Sequence, residues 1–149
     1  MKHSIKRADL SHLSDLIPLF DAYRVFYRQS SAPKKAKNFL KERIEKDESI
    51  IYLAYINDEA VGFVQLFPIF SSVSMEPMLL LNDLYIEEHH RGEGIGKSLI
   101  DKAKQICFEK QLKGLALQTE ADNPAQSIYE HLGFIKDPDL FYFWTNTNR

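Results

Sequence analysis

Apolar positions recur along the chain with two periods, and each period predicts an element type. His3 to Ala8, "HSIKRA", reads as a short first strand. Asp9 then stands where a helix cap belongs, and Leu13, Leu16, Ile17, Phe20, Tyr23 and Tyr27 follow at intervals of three and four, a helical stripe. Pro18 falls inside that stripe and predicts a kink or a late start. Residues 34–46 read as a second, highly charged helix. Three apolar runs follow, "SIIYLAYI" (49–56), "AVGFVQLFPIF" (60–70) and "MLLLNDLYI" (78–86), separated by "NDE" and "SSVSMEP". They predict strands, the third apolar on both faces as an internal strand should be. Residues 94–111 carry a helical stripe of Leu99, Ile100, Ala103, Ile106 and Cys107, and "GLALQT" (114–119) reads as a further buried strand. Pro124 is expected to open another helix, capped by Asn123 or Asp122 and ended by Gly133, and "LFYFWT" (140–145) to form a last strand.

The predicted order is β-α-α-β-β-β-α-β-α-β. Its hairpins demand antiparallel pairs and its β-α-β part a parallel pair, so the fold class is α/β with a mixed, α+β-like sheet. Composition narrows the function. The chain of 149 residues is expected to form one domain, residues 1–149. A net charge of −2 supplies no basic field to recruit nucleic acid. One cysteine, Cys107, excludes a disulfide framework and a cysteine metal cluster, and its place on an apolar helix face makes it packing. His89 and His90 lack further ligands in the pattern, so no metal is expected. No apolar run is long enough for a membrane span or a signal peptide, so a cytoplasmic protein with no membrane partner is expected.

The chemistry is concentrated in "HHRGEGIGKSLI", residues 89–100, where a strand gives way to a glycine loop and then a helix. Free N–H groups and the positive end of the helix dipole make such a junction an anion site. Two nucleotide motifs fail by spacing. A P-loop needs glycine five positions before Gly96, and that position is Arg91. A dinucleotide fingerprint starting at Gly92 or Gly94 places its third glycine on Lys97 or Leu99. What remains is Arg-x-x-Gly-x-Gly, made of Arg91, Gly94 and Gly96.

That pattern resembles the coenzyme A pyrophosphate loop of the GNAT N-acetyltransferase superfamily. "NDLYIEEHHRGEGIGKSLI" is similar to the family's central strand, loop and helix. "QTEADNPAQSIYEHLGF" is similar to its next strand and helix, ending in Tyr-x-x-x-Gly-Phe at Tyr129, Gly133 and Phe134. The resemblance implies an acyl-CoA N-acyltransferase fold: a central mixed sheet with splayed parallel strands, here 77–86 and 114–119, flanked by about four helices. It implies acetyl-CoA as co-substrate. The pantetheine arm would bond the backbone of Leu84, Tyr85 and Ile86, and the N–H of Ile86 or Leu84 would polarise the thioester carbonyl. The pyrophosphate would lie on the loop of Arg91, Gly92, Glu93, Gly94, Ile95, Gly96 and Lys97, with Asn123 a further cofactor contact. The family often has an asparagine seven residues before the tyrosine; Asn123 is six before and Asp122 seven.

Two catalytic candidates follow. By resemblance, Tyr129 is the general acid that protonates the departing thiolate. Asp83 stands inside a strand, where an unpaired charge is costly. Polyamine acetyltransferases of the family show an acidic pair near this point, replaced here by Asn82-Asp83. Three roles are open for Asp83: base, amine-binding group or structural hydrogen-bond partner. Glu120 is a second candidate base. On the acceptor side, Asp21, Tyr23, Phe26 and Tyr27 of the first helix and Tyr142 and Trp144 near the end suit a cation. The expected activity is transfer of acetyl from acetyl-CoA to a primary amine by direct attack in a ternary complex. A small, polyamine-like amine is favoured over a protein lysine or N-terminus, and a non-catalytic acetyl-CoA-binding regulator is the third class. A homodimer is a candidate assembly.

Overall fold

The computed structural model describes residues 2–149. They divide into two compact units, one running up to Gln118 and the other Thr119–Arg149.

The first unit is a five-stranded sheet in the order β1-β2-β3-β4-β5, with three helices. Its strands are β1 (Ser4–Arg7), β2 (Ile50–Ile56), β3 (Glu59–Ser71), β4 (Glu76–Ile86) and β5 (Leu115–Ala116). β1 to β4 pair antiparallel, and β4 and β5 run parallel. The helices are α1 (Leu13–Phe26), α2 (Pro33–Glu45) and α3 (Ile95–Glu109). Asp9 does act as a cap, accepting from the Ser11 N–H at 2.8 Å, but it caps a 3₁₀ turn, Leu10–His12. α1 starts after that turn and keeps Pro18 inside, where the proline nitrogen has no proton to offer the carbonyl four residues back.

β2 is buried throughout, covered on both faces. On one face Leu16, Leu19 and Phe20 of α1 and Leu40 of α2 pack with Ile51, Leu53 and Phe63. Leu99, Ile100 and Ala103 of α3 are likewise buried. Removing such side chains from water contributes roughly 1.5–3 kcal/mol each.

The β3–β4 ladder has a bulge with consequences for the site. Gln65 pairs with Asp83, but the next residue, Leu66, pairs with Leu81, so Asn82 is the extra residue. Without it, Leu81 and Asp83 would share a face. With it, Leu81 follows Leu66, while Asp83 follows Gln65 and Phe63 onto the face covered by α1.

The second unit contains one helix, α4 (Gln126–His131). Gly133 lies just past its end at φ 96°, as a glycine stop requires. α4 begins two residues later than Pro124, because Asn123 first closes a turn by accepting from the Ala125 N–H at 2.9 Å.

Two sequence expectations are corrected. The strand expected over 114–119 is reduced to Leu115–Ala116. The strand expected over 140–145 does not form: Leu140, Phe141, Tyr142, Phe143 and Trp144 are exposed and belong to no strand. A strand exists only as one side of a hydrogen-bonded ladder. Five consecutive apolar residues report affinity for burial, and they carry no record of a pairing partner.

Candidate active site

β4 ends at Ile86 and hands over to a 3₁₀ turn, Glu88–His90, and then to the glycine loop. Gly92 and Gly94 sit at φ 80° and 83°, a region open to glycine and strained for other residues. Gly94 is the N-cap of α3, and it supplies no side-chain cap. The first N–H groups of a 15-residue helix therefore face the loop without a side-chain acceptor at the cap. A Cβ added at Gly92 or Gly94 would meet nothing within 4 Å, so the space beside the loop is open. Open space, left-handed glycines and an uncapped helix start fit a pyrophosphate.

The loop's side chains are committed elsewhere. Arg91 donates from Nε to the Ile86 carbonyl at 2.9 Å, and its guanidinium lies 5.4 Å from the ring centres of both Phe26 and Tyr85. It thereby ties the loop to the end of β4 and to α1. Glu93 pairs with His90 at 3.3 Å, and Lys97 with Asp101 at 2.7 Å. Ile95 is buried packing. Sequence reading missed a tether behind the loop: Ser98 Oγ donates to the Gly94 carbonyl at 3.1 Å and lies 2.7 Å from Nε2 of His3. Nothing local in the sequence pairs residues 95 positions apart.

The phase of the β4 ladder can be read from one bond. The Glu87 N–H donates to the Val61 carbonyl at 2.8 Å. Alternation then points the backbone groups of Tyr85 and Asp83 at β3, and those of Leu84 and Ile86 away from it. On that far side β5 pairs only at Leu79 and Leu80. Among the described residues of the first unit, the N–H groups of Leu84 and Ile86 therefore face no paired strand, an edge suited to an extended, amide-bearing ligand, while the Ile86 carbonyl already accepts from Arg91.

Beneath α1 lies a polar cluster. Asp83 is 4% exposed. Gln65 Nε2 donates to its Oδ2, and Asn82 Nδ2 donates to its Oδ1 at 2.9 Å. The Tyr23 hydroxyl is shared between the Asn82 carbonyl, at 3.3 Å, and the Asp83 carboxyl. Burial pushes this carboxyl above its ordinary range, outweighing the bonds from Gln65, Tyr23 and Asn82 that favour the charged form. Tyr23 also stacks edge-on with Tyr27 at 5.1 Å and Tyr85 at 6.4 Å. Asp83, Tyr23, Tyr27, Phe26, Tyr85 and Arg91 thus form one contiguous group. Gln65, a single polar residue inside "AVGFVQLF", was overlooked; a lone amide in an apolar strand was the available signal.

Asp21 faces the start of α2, accepting from the Ser31 hydroxyl at 2.6 Å and the Ala32 N–H at 2.7 Å. Those bonds, Ser31 first, hold its carboxyl below the ordinary range. In the second unit, Tyr129 lies on α4 with its ring 6.0 Å from Phe134 in an edge contact, so the Tyr-x-x-x-Gly-Phe motif closes on itself. Asn123 engages the Ala125 N–H, and Glu120 and Asp122 precede that turn. Burial pushes the Cys107 thiol up, as suits packing.

The acetyltransferase (GNAT) family model matches residues 16–134. The chain belongs to this family. An uncharacterised N-acetyltransferase of Bacillus subtilis, YhfO, is 42% identical over 144 residues, covering 96% of this chain and 97% of that one. A streptothricin acetyltransferase of Escherichia coli is 30% identical over 111 residues, 73% of this chain and 61% of its own. A solved structure described as a probable acetyltransferase superposes with a TM-score of 0.90 at 37% identity, covering 98% of this chain and 99% of that one. The protein is accordingly a GNAT N-acetyltransferase, whose family uses acetyl-CoA as co-substrate and acts on amine acceptors. No helix among the described residues is long and apolar enough to cross a membrane.

Proposed function

We propose that the whole chain works as one acetyltransferase domain that moves acetyl from acetyl-CoA to a small primary amine by direct attack. The observation that carries the cofactor half is the uncapped start of α3 behind two left-handed glycines. The backbone N–H groups of residues 91–97 would hold the pyrophosphate, and the open edge at Leu84 and Ile86 the pantetheine amides. When bound, the cofactor supplies an acetyl thioester. One of the Leu84 and Ile86 N–H groups then serves as oxyanion donor. Asp83 takes a proton from the acceptor ammonium, with a raised carboxyl better matched to that task than an ordinary one. Tyr129, assigned on the family motif, returns a proton to the leaving thiolate. Asn123 is retained as a cofactor contact on the same basis.

A cationic small acceptor is supported by two features. Tyr23, Tyr27 and Tyr85 present aromatic faces next to Asp83. Tyr85 also lines a groove of about 530 Å³ that carries Asp15, Asp58, Glu59 and Glu87 and no basic residue. The relative named for streptothricin points the same way. The test is an acetyl-CoA turnover screen over polyamines, other small amines, amino acids and peptides. Turnover confined to peptides would replace the small-amine reading with a protein acceptor. Binding of acetyl-CoA without turnover on any amine would favour a regulator.

A further inference from the structure

We propose that Gln65 is a positioning residue for proton transfer at Asp83, its amide serving that carboxyl in both protonation states. The proposal rests on reading Asp83 as the group that deprotonates the acceptor.

Gln65 has no exposed surface, and a buried amide is costly unless its groups are paired. Phe63, the neighbour in β3 on the same face, is also fully buried, so an apolar residue would suit the position. The bulge at Asn82 puts Gln65 directly across the ladder from Asp83. Gln65 Nε2 donates to Asp83 Oδ2, while Gln65 Oε1 is buried with no partner among the described residues. A buried acceptor left over beside a buried carboxyl has a specific use. An ionised carboxylate only accepts, so it needs the amide N–H; a protonated one acquires an O–H that needs an acceptor. The terminal torsion of glutamine is soft, so the amide can present either atom. The Asn82 and Tyr23 bonds keep the carboxyl in place as this exchange occurs.

The step balances. An N–H bond of the ammonium breaks and an O–H bond forms on Asp83. The electron pair stays on nitrogen for attack on the thioester carbonyl. Ammonium and carboxylate become amine and acid, so no net charge is left behind in the sheet. Gln65 exchanges an N–H···O bond for an O–H···O bond. The titratable and charged groups on this face include Tyr23 of α1 and Tyr27 just past its end, Asp15 of α1 with the Tyr55 hydroxyl of β2 donating to it, and Tyr85 of β4 with the Arg91 guanidinium over its ring; Asp58, Glu59 and Glu87 line the groove beside Tyr85. Gln65 and Phe63 are what β3 contributes.

The experiment compares the full-length parent with Gln65→Leu, which keeps the bulk and removes both amide atoms. Isotope-labelled aspartate reports the Asp83 titration by infrared or NMR, assigned with Asp83→Asn. The pH profile of kcat/KM is recorded with acetyl-CoA and the best amine of the screen. The titration and the acid limb should both move up by about one pH unit, the amount by which the lost bond to the charged carboxylate outweighs the lost bond to the neutral acid. Below the limb kcat/KM should fall roughly tenfold, and above it little. Acetyl-CoA affinity should hold, and in the Asp83→Asn background Gln65→Leu should leave the pH profile unmoved. A lower melting temperature with an unmoved Asp83 titration would overturn the proposal, leaving Gln65 as packing. A moved titration with an unmoved acid limb, or with no amine accepted at all, would overturn the base reading of Asp83 beneath it. Should Gln65→Leu fail to fold, Gln65→Glu keeps the shape and should give two coupled carboxyl titrations; one unperturbed Asp83 titration there would equally overturn the role.

Discussion

Asp83 combines a chemical opportunity with a stability penalty, and both can be measured. Its folded carboxyl titrates above the ordinary value of 3.8 because burial disfavours the charge. Between that value and the raised one, the folded chain holds a proton that the unfolded chain has lost. Linkage then makes stability fall as pH rises through this window. Asp83→Asn removes the dependence, so its melting temperature should gain on the parent as pH rises from about 4 towards the raised folded value. The same variant should impair turnover while leaving acetyl-CoA affinity alone. Equal loss of both would place Asp83 in cofactor binding. Tyr129→Phe keeps the ring that meets Phe134 and deletes one hydroxyl. As general acid, its loss should lower kcat about 10²–10⁴-fold with little change in acetyl-CoA affinity. Turnover within a small factor of the parent would leave the thiolate to depart without it.

At the level of elements, two junctions govern the site. The first is the loop into α3. Gly94→Ala adds a methyl group to open space at a positive φ, so its penalty is backbone strain of roughly 1–2 kcal/mol. Gly94→Glu adds the same strain together with a negative charge where the pyrophosphate would lie. Calorimetry should show acetyl-CoA affinity falling further in Gly94→Glu than in Gly94→Ala, and equal losses would remove the anion from this loop. The second junction joins α1 to α2. Asp21 closes it by accepting from Ser31 and Ala32, which is helix-capping work. Asp21→Ala should lower stability by about 0.5–2 kcal/mol, the usual range for a lost cap. Because this carboxyl is held below 3.8, its contribution is present above that pH and fades as pH falls through the lowered folded value. Denaturant unfolding at several pH values would read both.

For the molecule as a whole, the buried hydrophobic residues run from Ala8 to Cys107, all within the first unit. A chain ending at Gln118 should therefore keep a cooperative thermal transition and bind acetyl-CoA through the loop, yet turn over no amine, since Tyr129 is gone. Failure of that shorter chain to fold would mean that the second unit completes the domain structurally as well as chemically.

Sequence alone determined the elements whose signals are local. α1 and α3 follow from apolar stripes, and the long hairpin strands from apolar runs between turn residues. The anion loop follows from three glycines ahead of a helix, because glycine's freedom at positive φ and a helix's unsatisfied N–H groups are properties of short segments. The tertiary structure decided what depends on partners. Counting alternate residues along "MLLLNDLYI" puts Leu81 and Asp83 on one face; the bulge at Asn82, seen only in register with β3, separates them and turns Asp83 beneath α1 against Gln65 and Tyr23. The run 140–145 has the composition of a strand and forms no ladder among the described residues, since strand formation is a pairwise event and hydrophobicity is a property of one segment.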